Sequence, residues 1–283
     1  MTDLFDFGRK VDDYAVMGNP IVHSKSPSIH TLFAAQTQQA IKYTAIHVDI
    51  GGFDQAVGNF AASGGKGLNI TVPFKEEAWA LVKDRSERAE RAGAVNTIKI
   101  ENGQLYGDNT DGVGLVNDLT VNNGIDLHGK NILLMGAGGA ARGVITPLVQ
   151  QNPSMLFIAN RTPDKAKNLA DDFSDTGKVE GGGYDALENK KFDVVINATA
   201  ASLKGELPPL PDSLLNEHAS CYDMMYGAQP TPFMLWATRH GAEKVLDGLG
   251  MLVEQAAESF YLWRGVKPET KSVISQLRAE LKT

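Results

Sequence analysis

A short apolar run followed at once by a glycine cluster constrains the fold of this chain most strongly. Residues 131–135 read as a strand buried on both faces, and residues 136–141 (Gly-Ala-Gly-Gly-Ala-Ala) lead into a helix predicted from about Gly139 to Gln150. Further apolar strands are predicted at Met155–Ala159, Asp193–Ile196 and Ser220–Asp223, and they alternate with helical segments. This alternation predicts an α/β fold with a doubly wound parallel sheet.

The glycine cluster also predicts a bound dinucleotide. Glycine lets the backbone approach a pyrophosphate closely, and the free N–H groups at the start of the next helix attract its negative charge. The contacts expected in this loop come from Gly136, Ala137, Gly138, Gly139 and Ala140. A plain tight turn is the alternative, but the strand before the loop and the helix after it favour a cofactor site.

The end of the second strand of this domain indicates which dinucleotide is bound. An NAD-selective site usually places an acid there, on the ribose 2′-hydroxyl. This chain instead has Asn160, Arg161 and Thr162, with Lys165 one turn into the next helix. Arginine can hold a 2′-phosphate with two hydrogen bonds. Solvated charges are the other interpretation, yet a cation near a helix N-terminus is electrostatically unfavourable, so the sequence predicts NADP.

The N-terminal half carries polar residues whose roles the residues alone leave open. Strands are predicted at Tyr14–Met17, Ile41–Val48 and Gly67–Val72, and Asn102-Gly103 predicts a hairpin. Ser24 and Ser26 precede a helix and could hold a carboxylate, or Ser26 could serve only as its N-cap.

Two charged residues are equally ambiguous at this level. Lys75 follows Pro73-Phe74 and could be a surface lysine paired with a neighbouring glutamate. Asp111 could be the N-cap of a helix that begins at Gly112.

Composition excludes several classes of protein. The net charge is −7, from 34 acidic and 27 basic residues, and the basic residues are not clustered, which argues against a nucleic-acid partner. Six scattered histidines and one cysteine, Cys221, lack the spacing of a metal site, so no metal is expected. A single cysteine fits a reducing compartment. No apolar run approaches the ~20 residues needed to span a bilayer, so we expect a cytoplasmic protein; monomer and homodimer both remain open.

The order of the short motifs resembles that of the shikimate dehydrogenase family nearly from end to end. The family's Asn-x-Thr-x-Pro-x-Lys, Ala-x-Asn-Thr, Asn-Thr-Asp and Ser-x-Ser-Pro motifs are matched at residues 69–75, 94–97, 109–111 and 24–27. The C-terminal part matches at residues 223–226, 231–232 and 247–252 and at Gln255. The loop at residues 197–203 departs from the family pattern, so its nicotinamide contacts are less well defined.

The resemblance implies two domains and a reaction. Residues 1–112 with 248–283 would bind substrate, and residues 113–247 would form a Rossmann-like NADP domain. The reaction would be the reversible reduction of 3-dehydroshikimate to shikimate with NADPH, a step in the biosynthesis of chorismate and aromatic amino acids.

The resemblance also implies roles for individual residues. Lys75 would be the catalytic acid and base, working beside Asp111. The expected substrate contacts are Ser24, Ser26, Asn69, Thr71, Asn96, Asp111, Tyr226 and Gln255. Met224 and Gly248 would join the glycine loop and residues 160–165 in contacting NADP.

Three other functions compete with this interpretation. A quinate/shikimate dehydrogenase would accept a wider range of substrates or use NAD; the residues that count against it are Ser24, Ser26, Arg161 and Lys165. A non-catalytic sensor of NADP or shikimate-like ligands would be expected to lose Lys75 or Asp111, and both are present. A tetrahydrofolate-linked dehydrogenase fits the glycine loop but not the substrate-side motifs.

Overall fold

The computed structural model describes residues 11–199, 201 and 205–282. The chain divides into a first unit, Met1–Thr110 with Ala256–Val273, and a second unit, Asp111–Gln255 with Ile274–Thr283. Within the described residues, each unit is built on one six-stranded sheet. No described helix has the length and apolar character needed to cross a membrane.

The sheet of the first unit is mixed. Its strands are β1 (Asp12–Gly18), β2 (Ile41–His47), β3 (Gly67–Ile70), β4 (Asp84–Arg85), β5 (Thr97–Glu101) and β6 (Gln104–Asp108), in the order β2-β1-β3-β5-β6-β4. Strand β1 runs parallel to β2 and β3, whereas β5 is antiparallel to β3 and β6. The helices are α1 (Ser26–Thr37), α2 (Phe53–Ala62), α3 (Lys75–Leu81) and α4 (Glu87–Ala92).

Two local predictions in this unit have different outcomes. Asn102 and Gly103 have φ angles of 52° and 78° between β5 and β6, which confirms the predicted hairpin and its left-handed turn. Ser26 is not the N-cap of α1, because Lys25 takes that position and makes no side-chain capping bond. The Ser26 N–H instead donates to the Ser24 hydroxyl at 3.3 Å, so the serine that supports the helix start lies two residues earlier.

Aromatic packing fixes the start of α3 in the first unit. Phe74 is fully buried and stacks on Phe53, with ring centroids 5.1 Å apart. Phe74 is also the N-cap residue of α3. The burial of this ring therefore anchors the backbone immediately before Lys75.

The sheet of the second unit is wholly parallel. Its strands are β7 (Asn131–Met135), β8 (Met155–Ala159), β9 (Val179–Gly182), β10 (Phe192–Asn197), β11 (Leu215–Asp223) and β12 (Lys244–Asp247). The order β9-β8-β7-β10-β11-β12 is the 3-2-1-4-5-6 order of the Rossmann fold, and it confirms the predicted doubly wound α/β class.

The remaining helices and short helical turns lie before, between and after these strands. They are α5 (Asp111–Asn117), which continues into a π-helical turn at Asp118–Asn122, then α6 (Gly139–Val149), α7 (Pro163–Asp171), a 3₁₀ turn at Tyr184–Leu187, α8 (Pro232–Arg239), α9 (Leu249–Arg264) and α10 (Lys271–Glu280). The predicted helix after the glycine loop is confirmed by α6. Gly265 closes α9 with a φ of 69°, as expected for a residue just past a helix end.

The strands of the second unit end in register. Met135 pairs with Ala159 and with Asn197, Asn197 pairs with Asp223, and Asp223 pairs with Asp247. In an open parallel sheet, ligands bind outside the carboxyl ends of the strands, where the order reverses. The reversal lies between β7 and β10, so the loops after Met135 and Asn197 border that position.

A buried histidine makes the first unit sensitive to acid. His30 is fully buried and stacks on Tyr43, with ring centroids 4.2 Å apart, and among the described residues neither of its ring nitrogens has a hydrogen-bond partner. Burial lowers the pKa of His30 from 6.5 to about 3, and the nearby Asn69 side chain opposes this shift. Folding therefore favours the neutral ring.

We predict that acidification destabilises the protein through His30. Because the folded pKa is the lower one, this contribution is complete above about pH 6.5 and is lost as the pH falls towards about 3. The free energy of unfolding should fall by about 2 kcal/mol between about pH 7 and pH 5. Urea unfolding at both pH values would show this dependence reduced in His30→Phe and retained in His128→Asn, which changes an exposed histidine. An equal loss in wild type and His30→Phe would contradict it.

Candidate active site

The glycine loop after β7 leaves room for a ligand at the start of α6. Gly136 has a φ of 111° and its N–H donates to the Ala159 carbonyl at 2.8 Å, which ties the loop to the end of β8. A Cβ on Gly136 would lie 3.1 Å from the Ala198 carbonyl oxygen, whereas one on Gly138 or Gly139 would meet nothing within 4 Å. The loop is thus packed at its base and open where the helix begins, as a pyrophosphate requires.

A cavity of about 520 Å³ lies at the ends of β8 and β9. It is lined by Asn160, Arg161, Pro163, Gly183, Tyr184, Asp185, Thr199, Ala201 and residues 206–209. Burial raises the pKa of Tyr184 to about 12, and the Arg161 guanidinium opposes this shift. Asp185 and Glu206 also line the cavity, so Arg161 shares it with two acidic side chains.

The predicted contacts Arg161 and Lys165 are both exposed. The Asn160 amide donates to the Thr162 carbonyl at 3.0 Å and holds the turn before α7. Thr162 is the N-cap residue of α7 but makes no side-chain capping bond. An exposed guanidinium at the rim of an open cavity can bind a phosphate without first losing a buried partner.

The ends of β10 and β11 are tied by the Asp223 carboxylate. Asp223 is fully buried and accepts hydrogen bonds from the Asn197 amide at 3.3 Å, the Thr231 hydroxyl at 2.6 Å and the Met225 N–H at 3.0 Å. These bonds fix the loop that carries two predicted contacts, Met224 and Tyr226.

Gly248 packs directly against this loop. Its N–H donates to the Met225 carbonyl at 3.0 Å, and a Cβ at position 248 would lie 2.2 Å from the Met224 carbonyl oxygen. The preceding residue, Asp247, accepts from the Leu249 N–H at 3.2 Å and pairs with Arg278 through both guanidinium Nη atoms. The structure therefore brings the predicted cofactor residues Met224 and Gly248 together.

Asp111 and Gln255 lie on neighbouring helices of the second unit. Asp111 is the first residue of α5 and is 8% exposed. One turn later, Gly114 faces α9 so closely that a Cβ would lie 2.7 Å from the Gln255 backbone nitrogen. The Gln255 amide donates to the Leu252 carbonyl at 2.8 Å. Tyr226 is half-buried, and its pKa is raised by burial and by the Asp247 charge.

A buried acid behind these helices was not singled out by the sequence. Asp118 accepts from the Tyr222 hydroxyl at 2.7 Å and from the Asn122 amide at 3.0 Å. Burial raises its pKa, and the hydrogen bonds of Tyr222 and Asn122 oppose that shift. Gly250 at the start of α9 packs against the Asp118 carboxylate. No local sequence pattern predicts the hydrogen bond between Asp118 and Tyr222, because the two residues are 104 positions apart.

A buried amide network organises the first unit. The Asn69 Nδ2 group lies 3.3 Å from the Asn96 carbonyl, 3.1 Å from the Thr97 hydroxyl and 3.0 Å from the Ser259 hydroxyl, and its Oδ1 accepts from Tyr43 at 2.7 Å. Asn69 is therefore committed to interior partners. It holds the end of β3 rather than projecting freely from it.

The other predicted substrate residue of this network is Asn96. Its Oδ1 accepts from the Thr110 N–H at 2.9 Å and from the Thr97 hydroxyl at 2.8 Å, and its Nδ2 donates to the Thr110 hydroxyl at 3.0 Å. The network thus joins the two asparagines through Thr97 and connects them to Thr110, the central residue of the Asn-Thr-Asp motif.

The remaining predicted residues of the first unit border the ends of β1 and β3. Ser24, Thr71 and Lys75 are half-buried, and Ser26 is buried. The Thr71 N–H donates to the Met17 carbonyl at 3.0 Å, and the Lys75 carbonyl accepts from Val95 at 2.9 Å. Lys75 belongs to the first unit, whereas its predicted partner Asp111 belongs to the second.

Part of the loop after β10 lies outside the described residues. The segment whose departure from the family pattern leaves the nicotinamide contacts undefined includes Ala200, Ser202 and Leu203, which are not described, and Ala201, which is. At the start of the loop, Thr199 donates to the Asn197 amide oxygen through its N–H at 3.1 Å and its hydroxyl at 2.7 Å. In the described part of the chain, no group of three or more His, Cys, Asp or Glu residues is placed to hold a metal ion.

Three protein-family models match the chain. Residues 16–98 match the shikimate dehydrogenase substrate binding domain, residues 118–204 match shikimate / quinate 5-dehydrogenase, and residues 248–278 match the shikimate 5′-dehydrogenase C-terminal domain. The matches cover parts of both units.

Curated relatives and solved structures agree with these models. A protein of Alkalilimnicola ehrlichii named shikimate dehydrogenase (NADP(+)) is 61% identical over 95% of this chain and 99% of its own length. An Ael1 enzyme from Pseudomonas putida superposes with a TM-score of 0.91 at 48% identity, over 94% of this chain and 98% of that one. The Thermus thermophilus shikimate 5-dehydrogenase, solved with NADP(H) and shikimate, gives a TM-score of 0.85 at 30% identity, over 96% and 100%.

We predict that Gly248→Ala destabilises the protein. The new Cβ would lie 2.2 Å from a backbone oxygen, so the loop must shift. We expect a loss of about 1–3 kcal/mol in the free energy of unfolding, measured by urea unfolding. Gly227→Ala, in the loop against which Gly248 packs, is the matched control, because its Cβ would approach nothing closer than 3.8 Å; its change should stay within about 0.5 kcal/mol. Equal changes in both variants would rule out the close approach as the cause.

Proposed function

Because this chain belongs to the shikimate dehydrogenase family, we propose that it catalyses the reversible NADP-dependent oxidation of shikimate to 3-dehydroshikimate, a step towards chorismate and the aromatic amino acids. The observation that carries this proposal is the 61% identity to a curated NADP-dependent shikimate dehydrogenase over 95% of the chain. The polar network around Asn69 and Asn96 in the first unit supports it, as does the glycine loop after β7 in the second unit.

The second unit is proposed to hold NADP. Its glycine loop offers open space at Gly138 and Gly139 at the start of α6, and we assign the adenosine group to the adjacent cavity of about 520 Å³. We assign the 2′-phosphate to Arg161 and Lys165, since both cations are exposed at the end of β8. We assign Met224 and Gly248 to the nicotinamide end, because they follow β11 and β12 at the same edge of the sheet. NADP supplies the hydride acceptor when it is bound.

The first unit is proposed to supply most of the substrate contacts. Shikimate is a cyclohexene carboxylate with three hydroxyl groups, so it needs donors for the carboxylate and both donors and acceptors for the ring. Ser24 and Ser26, at the start of α1, are assigned to the carboxylate. Thr71 and Asn96 are assigned to the ring hydroxyls, and Gln255 and Tyr226 are the further substrate contacts that we propose. Asn69 acts by holding β3 and the neighbouring motif in place.

Lys75 and Asp111 are proposed to serve the proton transfer that accompanies hydride transfer. Oxidation of a secondary alcohol by hydride loss also requires loss of the hydroxyl proton, and reduction requires its return. Lys75 Nζ takes this proton in one direction and returns it in the other. The Asp111 carboxylate accepts a hydrogen bond from the substrate and orients the reacting hydroxyl. Anchoring of the preceding backbone by Phe74 limits the motion of Lys75.

We predict that the wild-type protein reduces NADP⁺ with shikimate far faster than with quinate, and that NAD⁺ is a poor substitute. The cofactor preference follows from the cations at the end of β8, and the assay is the absorbance of the reduced cofactor for all four pairings. Comparable rates with quinate or NAD⁺ would place the protein among the broader quinate/shikimate dehydrogenases. Tight binding of either ligand without turnover would instead support a sensor.

Loss of the Lys75 amine should slow the chemical step. General acid–base assistance is typically worth about 10²–10⁴-fold in rate, so Lys75→Ala should lower kcat by at least about 10²-fold with a smaller change in KM. Lys83→Ala is the matched control, because Lys83 is an exposed lysine just beyond α3 that bonds only locally, to the Ala80 carbonyl, in the described structure. Full kcat in Lys75→Ala would remove this residue from the proposed chemistry.

A further inference from the structure

A carboxylate at the end of β12 is held by a cation from the last helix. Arg278 on α10 donates to Asp247 Oδ2 through Nη1 at 2.6 Å, and its Nη2 donates to Oδ1. The Asp247 side chain is 6% exposed and that of Arg278 is 35% exposed. Two parallel bonds between a guanidinium and a carboxylate fix the relative orientation of both groups. The direction of the Asp247 oxygens is therefore set by a residue 31 positions later in the chain.

The same carboxylate holds the turn between β12 and α9. Asp247 Oδ1 also accepts from the Leu249 N–H at 3.2 Å, across the intervening Gly248. Gly248 itself donates to the Met225 carbonyl at 3.0 Å, and a Cβ there would lie 2.2 Å from the Met224 carbonyl oxygen. Gly248 thus lies in a tightly packed turn whose position depends on the orientation of Asp247.

The surroundings of Asp247 are acidic, so its cation is needed. Asp118 and Glu254 are both buried. Burial is the largest cause that raises the pKa of Asp118, and the charges of Glu254 and Asp247 add to this shift. The three carboxylates are thus close enough to repel one another. Removal of one partner of a buried ion pair leaves the other charge uncompensated, so without Arg278 the turn at Gly248 would lose its support.

The loop that packs against Gly248 is anchored by a different carboxylate. Asp223 accepts from the Met225 N–H at 3.0 Å and from the Thr231 hydroxyl at 2.6 Å. Loss of Arg278 would therefore affect the turn at Gly248 more than it affects this loop. The effect should then fall on the ligand that Gly248 is proposed to contact, which is the cofactor.

We propose that Arg278 is a positioning residue for cofactor binding, which acts through Asp247 to hold the turn at Gly248 against the nicotinamide end of NADP. This inference rests on the proposed function, since it takes Gly248 as a cofactor contact. It adds to that function a residue of the last helix, which acts only through Asp247 and takes no part in hydride or proton transfer.

The test is Arg278→Met, which keeps most of the side-chain stem and removes the guanidinium. We expect the Kd for NADPH, measured by calorimetry, to rise about tenfold, the equivalent of one hydrogen bond, while KM for shikimate at saturating NADP⁺ changes less than about threefold. Arg239→Met is the matched control, because Arg239 is an exposed arginine in the last turn of α8 in the same unit. Its Kd for NADPH should stay within about twofold of the wild-type value.

Two readouts separate positioning from a purely structural role. A residue that only stabilises the fold would, on removal, lower the free energy of unfolding in urea and leave the Kd of the folded protein unchanged, and that result overturns the inference. In an Asp247→Asn background, Arg278→Met should raise the Kd less than about threefold, because the carboxylate is gone while the asparagine oxygen can still accept from Leu249. An undiminished effect in that background, or an equal rise in Arg239→Met, would also overturn it.

The same measurements distinguish failure of this inference from failure of the proposed function. Wild-type protein that binds NADPH while Arg278→Met keeps the wild-type Kd overturns the positioning role alone. Wild-type protein that binds NADPH without oxidising shikimate overturns the proposed reaction, and the Kd of Arg278→Met then still decides the positioning role. Wild-type protein that does not bind NADPH overturns both. If Arg278→Met folds poorly, Arg278→Gln, which is also neutral but keeps a hydrogen-bond donor, provides the second variant, and a wild-type Kd there also overturns the inference.

Discussion

The buried carboxylate of Asp223 places the tightest constraint on the second unit. It has no solvent exposure, and its hydrogen bonds come from the end of β10, from the loop after β11 and from the start of α8. A buried acceptor deprived of its donor costs about 1–3 kcal/mol, and more when it is charged. Three segments are therefore bonded to the same carboxylate. These bonds fix the conformation of the loop that carries Met224 and Tyr226. Position 248 must then be glycine, because the space left beside Met224 excludes a Cβ.

In the first unit too, buried polar groups must be hydrogen-bonded, and there these groups are side-chain amides instead of a carboxylate. An asparagine offers donors on one side and acceptors on the other, so the interior partners of Asn69 and Asn96 fix the direction in which each amide faces. Residues of the shikimate dehydrogenase motifs thus have two duties. Some are the ligand contacts that we propose, whereas others satisfy buried polar groups in the interior of the unit. The hydrogen bonds of Asn69 are of the second kind, and its contact with substrate stays a prediction.

The parts of the fold that the sequence predicts are those with a local signal. β7, β8 and β11 contain apolar runs long enough to show burial on both faces, and the loop after β7 combines glycines with a following helix. β9 and β12 carry no such signal. β9 is Val-Glu-Gly-Gly, with two residues that disfavour strands, and β12 is a four-residue strand; both lie at the edges of the sheet, where only one neighbour supports them.

The residues of the candidate site also fall into those with a local sequence signal and those without one. The residues that we propose as ligand contacts recur at fixed short spacings after strand ends, so Lys75, Arg161 and the glycine loop can be found in the sequence. The groups that hold Asn69 are instead distant along the chain: Tyr43 is 26 positions from it, and Ser259 is 190 positions from it. No periodicity or motif relates such pairs, because their proximity is created only by strand order and by the return of α9. Short motifs therefore identify the chemistry of a site of this kind, whereas the residues that set its geometry become visible only once the chain is folded.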